Sequence, residues 1–240
     1  MRNMAEEVRI NKFISDSGLC SRREADRILK DGRVTIDGVA ADVGMHVRSG
    51  QEVLVDGKKL PGSGGMILIA VNKPKGIVCT TDPEDKNNIV NFVGHRERIY
   101  PIGRLDKDSE GLILMTNNGD LVNRMMRSRY GHEKEYAVTV HKPVTKAFID
   151  RMSSGVPILG TVTKKCEVER TGSRKFRIIL TQGMNRQIRR MCEHLNYEVT
   201  SLKRMRVLNI ELGDLKEGEY RSVTEHERQE LFDIIKYSKG

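Results

Sequence analysis

The sequence predicts an α+β protein with a small N-terminal module and a larger domain built on a mixed, mainly antiparallel sheet. Three observations lead there. Short runs with strand-like alternation recur along the chain, such as HEKEYAVTV at 132–140 and Phe176, Ile178, Leu180, interleaved with short amphipathic helices. The stretch Pro61, Gly62, Ser63, Gly64, Gly65 breaks that pattern and forms either regular structure poorly, so 61–65 reads as a flexible linker between residues 1–60 and 66–240. A length of 240 residues, 38% of them apolar, suffices for one sizeable core or two smaller ones.

Composition narrows the class. No run of about 18 apolar residues is present, so no helical membrane span is expected. The opening residues MRNMAEEVRINKF lack a secretory apolar core. Cys20, Cys79, Cys166 and Cys192 lie far apart with no Cys-x-x-Cys pair, as expected of reduced thiols in a cytoplasmic protein. The formal charge is +9 and unevenly placed: residues 1–60 hold 11 Lys/Arg against 10 Asp/Glu, whereas residues 164–206 hold 12 against 4. Such a local excess suits a polyanion, nucleic acid first, or a merely solvated basic face.

In the N-terminal module Ile10, Phe13 and Ile14 make one short apolar face, ended by Ser17-Gly18. Ser21 and Glu24 form a capping box ahead of a second helix with Ala25, Ile28 and Leu29 as its buried stripe and Gly32 as its stop. Arg23, Arg27 and Lys30 recur on the opposite face with Arg22 beside them. That spacing fits a phosphate-gripping surface or a salt-laced solvated helix. Short strands follow at Val34–Ile36 and Val53–Val55, each closed by an Asp-Gly turn.

The larger domain opens with an apolar strand, Met66 to Val71, and a second short strand, Ile77 to Cys79. A charged loop at 82–88 leads to a helical turn at 89–93. Next comes GRLDKDSEGLILMTNNGDL, 103–121, which sets Asp106 just after Arg104 and ahead of a buried strand, Gly111 to Thr116. A helix from Asp120 to about Ser128 turns Leu121, Val122, Met125 and Met126 inward. A carboxylate so held does chemistry if a substrate reaches it, and local sequence equally fits a turn or capping aspartate.

In HEKEYAVTV, Tyr136, Val138 and Val140 share one face. His132-Glu133 invites a metalloprotease reading that fails because position 136 is Tyr rather than His. Tyr136 is a core residue or a stacking platform at a strand end. A helix capped by Thr145 spans 145–152, and strands follow near 156–163, 165–169 and 175–181. QGMNRQIRRMCEHL, 182–195, predicts a helix with Asn185 as N-cap and Ile188, Met191, Cys192 and Leu195 buried. Arg186, Arg189, Arg190 and Glu193 share its other side, where a guanidinium fork meets a carboxylate or a phosphate. Val199 to Ile210 is a strand region carrying Lys203, Arg204 and Arg206, and Thr224 with Glu227 opens a final amphipathic helix. No GxGxxG, P-loop or GxSxG motif and no metal-ligand cluster occurs, so neither a metal nor a cofactor is expected.

Residues 9–56, with RINKFISDSGLCSRREADRILKDGRVTIDG at their heart, resemble an S4-like RNA-binding domain, which implies that Arg9, Lys12, Arg22, Arg23 and Arg27 face RNA. Three ordered segments, GRLDKDSEGLILMTNNGDL, HEKEYAVTV and QGMNRQIRRMCEHLNYEVTSLKRMRV, resemble the RsuA/RluB/RluF family of RNA pseudouridine synthases. Together the resemblances cover nearly the whole chain and imply an S4-like domain followed by a pseudouridine-synthase catalytic domain. The RluF branch, which acts on large-subunit ribosomal RNA, is nearest through HEKEY and GVPILGTVTKKC.

Carried over by position, Asp106 aligns with the family's catalytic aspartate, Tyr136 with the aromatic residue that stacks on the target base, and Arg189 with the basic residue that pairs with the aspartate. Leu202 and Arg204 fall in the segment that closes the pocket; Arg104 and Arg186 are expected at the substrate, Arg186 standing where relatives often have His before Gln. No long basic C-terminal tail of the kind some relatives carry is seen. The implied partner of this cofactor-free isomerase is 23S ribosomal RNA, with a transfer RNA anticodon loop as an alternative or additional target. The implied state is a monomer away from any membrane. A non-catalytic S4-type ribosome-assembly factor is the competing function.

Overall fold

The structure, a computed structural model, describes residues 7–62, 65–127 and 131–237. Ser63 and Gly64 of the expected linker, and Ser128 at an expected helix end, lie outside these residues. Contacts divide the chain into two compact units: Met1–Met66 with Arg96–Arg98 and Asn117–Gly119, and Ile67–His95 with Ile99–Thr116 and Asp120–Gly240.

In the first unit β1 (Val8–Arg9), α1 (Ile10–Asp16) and α2 (Arg22–Lys30) precede β2 (Val34–Ile36), β3 (Val39–Ala40), β4 (His46–Val47), β5 (Val53–Val55) and β6 (Lys58–Lys59). The Ser21 hydroxyl accepts from the Glu24 N–H at 3.1 Å, so the expected cap starts α2. Strands run in the order β3-β2-β5-β6, all antiparallel. Asp37-Gly38 and Asp56-Gly57 both take positive φ, as two-residue hairpin turns require. Ile10, Ile14, Ala25, Ile28 and Leu29 pack with Val34, Val53 and Val55 into one core. Burying that stripe leaves Arg22, Arg23, Arg27 and Lys30 exposed, with Arg9, while Lys12 is half-buried and paired to Asp16 at 2.6 Å.

The second unit runs β7 (Leu68–Lys73), α3 (Ile89–Val93), β8 (Tyr100–Pro101), β9 (Glu110–Thr116), α4 (Gly119–Met126), β10 (Lys134–Val140) and α5 (Lys146–Ser154). It continues with β11 (Pro157–Ile158), β12 (Thr161–Val162), β13 (Glu167–Gly172), β14 (Lys175–Leu180), α6 (Gln187–His194), β15 (Val199–Val207), β16 (Ile210–Glu211), β17 (Tyr220–Ser222) and α7 (Glu225–Tyr237). A nine-stranded sheet follows the order β13-β14-β10-β15-β9-β7-β17, with β16 on β15 and β8 on β9. The sheet is mixed and mainly antiparallel as expected; the parallel junction is β15 with β9.

The near-continuous apolar runs of β7 and β9 follow from burial on both faces. Leu68, Ala70, Leu112 and Leu114 join a core beneath α4 and α7, whereas Ile69, Val71, Ile113 and Met115 face a second core with Ile89, Ile99 and Leu105. A third core of Val138, Phe148, Phe176, Ile178, Met191 and Leu202 packs α5 and α6 on the other half of the sheet.

Several expectations shift. The strand expected at Met66–Val71 is Leu68–Lys73. Ile77–Cys79 is not a strand: Val78 makes one isolated bridge to Asn88, and Cys79 lends its sulfur to the Leu105 N–H at 3.4 Å, steadying the loop before Asp106. The segment 156–163 is a small separate hairpin, β11 with β12. Met126 is 50% exposed rather than inward, because α4 ends there and Leu121 and Met125 fill the core.

Candidate active site

The site begins at the β9–β15 junction. Gly111 sits at φ +100°, and a Cβ there would lie 2.4 Å from the Arg204 carbonyl oxygen and 2.7 Å from its nitrogen. Only glycine permits so close an approach. It lets β15 join β9 directly after the Asp106 loop and brings β10 alongside through the ladder Tyr136↔Arg204 and Val138↔Leu202. A register shift between Glu135 and Tyr136 has a local consequence. Lys134 lies opposite Val207 and Tyr136 opposite Arg204, so the irregularity turns Val207, Arg204 and Leu202 to one face, although 207 and 204 are three apart.

That face lines a cavity of ≈ 370 Å³. Asp106 and Arg104 enter it from the loop, Tyr136 and Lys134 from β10, Leu202 and Arg204 from β15, and Arg186 from the turn before α6. Six of the seven residues expected at the catalytic and substrate positions therefore converge; the seventh, Arg189, stands behind the loop. Arg104 and Arg186 are exposed, whereas Arg204 is 3% exposed and its Nε donates to the Leu112 carbonyl at 2.6 Å. Tyr136 is half-buried, its ring packed between two of the cores.

Arg189 corrects one expectation. It is 9% exposed, and its carboxylate partner is Asp108 rather than Asp106. Nη2 donates to the Asp108 carbonyl at 3.0 Å and to the Ser109 hydroxyl at 3.4 Å, Nη1 donates to the Val199 carbonyl at 3.3 Å, and Nε lies 3.3 Å from the Asp108 carboxylate. Arg186 donates both Nη groups to the same carboxylate at 3.2 and 3.3 Å. Burial pushes the Asp108 carboxyl up, but the Arg186 hydrogen bonds and the Arg189 charge outweigh it and hold the group below its ordinary value. Asp106 forms no side-chain hydrogen bond or ion pair with the described residues, and its carbonyl accepts from the Ser109 N–H at 3.0 Å. One aspartate of the loop is thus tied down by two arginines, and the other is left to the cavity.

The N-cap of α6 is Arg186, at φ +49° and without a side-chain cap bond, not Asn185. Asn185 instead accepts from the Arg190 guanidinium through both its carbonyl and its amide oxygen. Part of the expected basic belt at 164–206 is paired. Arg177 pairs with Glu135, Glu167 and Glu169, and Arg206 pairs with Glu133 and Glu135. Glu167 and Glu169 belong to the same stretch, whereas Glu133 and Glu135 are brought beside the arginines by the sheet, which a sequence window does not see.

Two residues escaped the sequence reading. Asp108 needed knowledge that positions 186 and 189 return to the loop. Lys134 was accessible: it lies two residues before Tyr136 and so on the same strand face. Among the described residues no group of three or more His, Cys, Asp or Glu side chains is placed to hold a metal ion, and no helix is long and apolar enough to cross a membrane. Burial pushes the Cys166 thiol up to about 11 and the Cys192 thiol up to about 12, leaving neither a nucleophile at neutral pH.

Comparison with known proteins agrees with this architecture. Residues 67–194 match the RNA pseudouridylate synthase family model and residues 8–53 the S4 domain model. The chain is 54% identical to the dual-specificity RNA pseudouridine synthase RluF of Escherichia coli (strain K12), over 97% of this chain and 81% of that protein. It is 30% identical to the ribosomal large subunit pseudouridine synthase B of Bacillus subtilis (strain 168), over 97% and 98%. A crystal structure of a pseudouridylate synthase superposes with a TM-score of 0.67 at 27% identity, covering 93% of this chain and 99% of that one. An S4 domain ahead of this cavity-bearing sheet, with relatives matched almost end to end, makes the chain an RNA pseudouridine synthase of the RsuA/RluB/RluF family.

Proposed function

We propose that this enzyme isomerises a specific uridine of 23S ribosomal RNA, with Asp106 as the reacting carboxylate, Tyr136 as the platform under the flipped base, and Arg189 as the residue that positions the Asp106 loop. The observation that carries this reading is the convergence of Asp106, Tyr136, Leu202, Arg204, Arg104 and Arg186 on one cavity. The reaction detaches uracil from C1′, turns it and rejoins it through C5, so atoms balance without a co-reactant. A base inside folded RNA must first be flipped out. Stacking on Tyr136 would return roughly 1–3 kcal/mol of that cost.

Asp106 then attacks C1′, stabilises positive charge on the ribose, or removes the C2′ proton. Arg104 and Arg186, exposed at the rim, suit phosphates flanking the flipped nucleotide. Arg9, Lys12, Arg22, Arg23 and Arg27 of the S4 domain would also grip the RNA. The enzyme is read as a cytoplasmic monomer with its domain boundary at 61–65.

Asp106→Asn should abolish tritium release from 5-tritiated uridine in RNA while leaving RNA affinity nearly unchanged; unchanged release would remove Asp106 from the chemistry. The name of the 54% identical relative, a dual-specificity RNA pseudouridine synthase, supports a second RNA substrate, which we take to be a transfer RNA. Carbodiimide mapping of total RNA from a strain lacking the gene should show a modification lost from 23S ribosomal RNA; a loss confined to transfer RNA would overturn the primary assignment.

A further inference from the structure

We propose that Lys134 holds a carbonyl oxygen of the target uracil and stabilises the base as its bond to the ribose breaks. The inference rests on the base lying over Tyr136, as read above. Lys134 lines the cavity from the same face of β10 as Tyr136, two residues away. Its cross-strand neighbours are apolar, Leu180 on β14 and Val207 on β15.

Among the described residues no carboxylate forms an ion pair with it. Arg204 from β15, Arg104 and Asp106 from the loop, and Arg186 from the turn before α6 line the same cavity. Glu133 and Glu135 are engaged by Arg206, and Glu135 also by Arg177. Among the described residues the one acceptor for the ammonium is the His132 carbonyl, at 3.1 Å. Two of its three N–H donors are therefore available to a ligand. A half-buried cation with neither carboxylate nor full hydration is costly unless a substrate supplies the missing acceptor.

Uracil supplies it at the right moment. When the C1′–N1 bond breaks, the bonding pair stays on the base and spreads to O2 and O4. A hydrogen bond from an ammonium to either oxygen is stronger in that state than to the neutral base, so it favours the transition state over the bound substrate. After the base turns, the pair forms the C5–C1′ bond, C5 loses its proton and N1 gains one. Lys134 keeps its own proton throughout, and the need for it does not depend on how Asp106 acts on the ribose.

Burial, and then the Arg204 charge, lower the Lys134 pKa to about 8. The group is cationic below that value and neutral above it, so its contribution is lost as pH rises through about 8.

The test is single-turnover tritium release at saturating 5-tritiated RNA, below and above pH 8, for the wild-type enzyme, Lys134→Met and Lys134→Arg, with RNA affinity measured for each. Lys134→Met should release tritium about 100-fold more slowly at unchanged affinity. Lys134→Arg should recover part of that loss and lack the wild-type fall above pH 8, because guanidinium stays charged. Uracil itself titrates alike with every variant, so the difference between profiles is what counts. Wild-type release by Lys134→Met, or an alkaline fall that persists in Lys134→Arg, would overturn the proposal; the arginine variant decides if the methionine variant does not fold. Failure of the reading beneath it would show separately, as activity in Asp106→Asn.

Discussion

Two arginine-bearing helices of this enzyme look alike as sequence and differ entirely as structure. α2 carries Arg22, Arg23 and Arg27 at the surface, and the ion pair of Arg27 with Glu24 at 3.0 Å leaves the arginine side chain 74% exposed. α6 carries Arg189 at a similar helical spacing, yet there the β9 loop and β15 close over the guanidinium, which meets Asp108, Ser109 and Val199. The residue type does not separate them; what covers the helix does. An exposed arginine contributes screened, orientation-tolerant charge, which suits a polyanion. A covered one contributes fixed geometry, which suits the placement of a reacting group.

The most severe way to break this contrast is Arg189→Met. The carbonyls of Asp108 and Val199 and the Ser109 hydroxyl would lose a donor, at roughly 1–3 kcal/mol of stability for buried groups left unsatisfied. The loop bearing Asp106 would lose its anchor, and a shift of about 1 Å there is expected to slow single-turnover tritium release about 100-fold. Calorimetry and rate should fall together. A lowered melting temperature with an unchanged rate would make Arg189 structural and leave the contrast without functional content.

A third arginine sharpens the distinction, because it is half-buried and firmly paired but does not line the cavity. Arg221 binds Glu227 through both oxygens at 2.7 and 2.8 Å, and Glu227 caps α7 by accepting from the Thr224 N–H at 2.8 Å. The Arg221 hydrogen bonds are the main reason the Glu227 pKa falls to about 2 from an ordinary 4.5. A carboxyl lowered on folding stabilises the protein above its unfolded value and loses that contribution as pH falls through the folded one. With screening allowed for, the contribution at neutral pH is on the order of 2 kcal/mol. Urea unfolding of Glu227→Gln should show a deficit of about that size at pH 7 that shrinks between roughly pH 5 and 2, with tritium release at pH 7 unaffected. A deficit independent of pH would mean the glutamine loses helix capping rather than charge.

These cases also show what the sequence could and could not disclose. Caps and alternation are local, so Ser21, Thr145 and Thr224 were readable as helix starts, and β10 and β14 as strands. The apolar runs of β7 and β9 were readable as buried strands for the same reason. The partner of Arg189 was not, because Asp108 and Asp106 are equally plausible until β15 docks on β9. That docking depends on Gly111, whose need for φ +100° and for space beside Arg204 arises only in the folded sheet. The pairing inside the basic stretch 164–206 was hidden for the same reason: the glutamates facing Arg177 and Arg206 come partly from β10 and the residues just before it, at least 40 positions away. Family motifs brought Asp106, Tyr136 and Arg189 forward, yet they said nothing of Lys134, which the strand period alone places in the cavity.

The smallest expected effect lies on the exposed helix and is the cleanest test of the contrast. Arg23→Ala with Arg27→Ala removes two surface cations and one exposed ion pair, so stability should change by less than about 1 kcal/mol. If both side chains meet RNA phosphates, the slope of log affinity against log salt should fall in magnitude by about 1.4–1.8, at 0.7–0.9 per contact. The rate at saturating RNA should not change, since neither residue belongs to the cavity. Measured together, salt slope and saturated rate separate the two kinds of arginine. An unchanged slope would remove the α2 face from the RNA contact, and a reduced saturated rate would show that this exposed face also governs how the target nucleotide is presented.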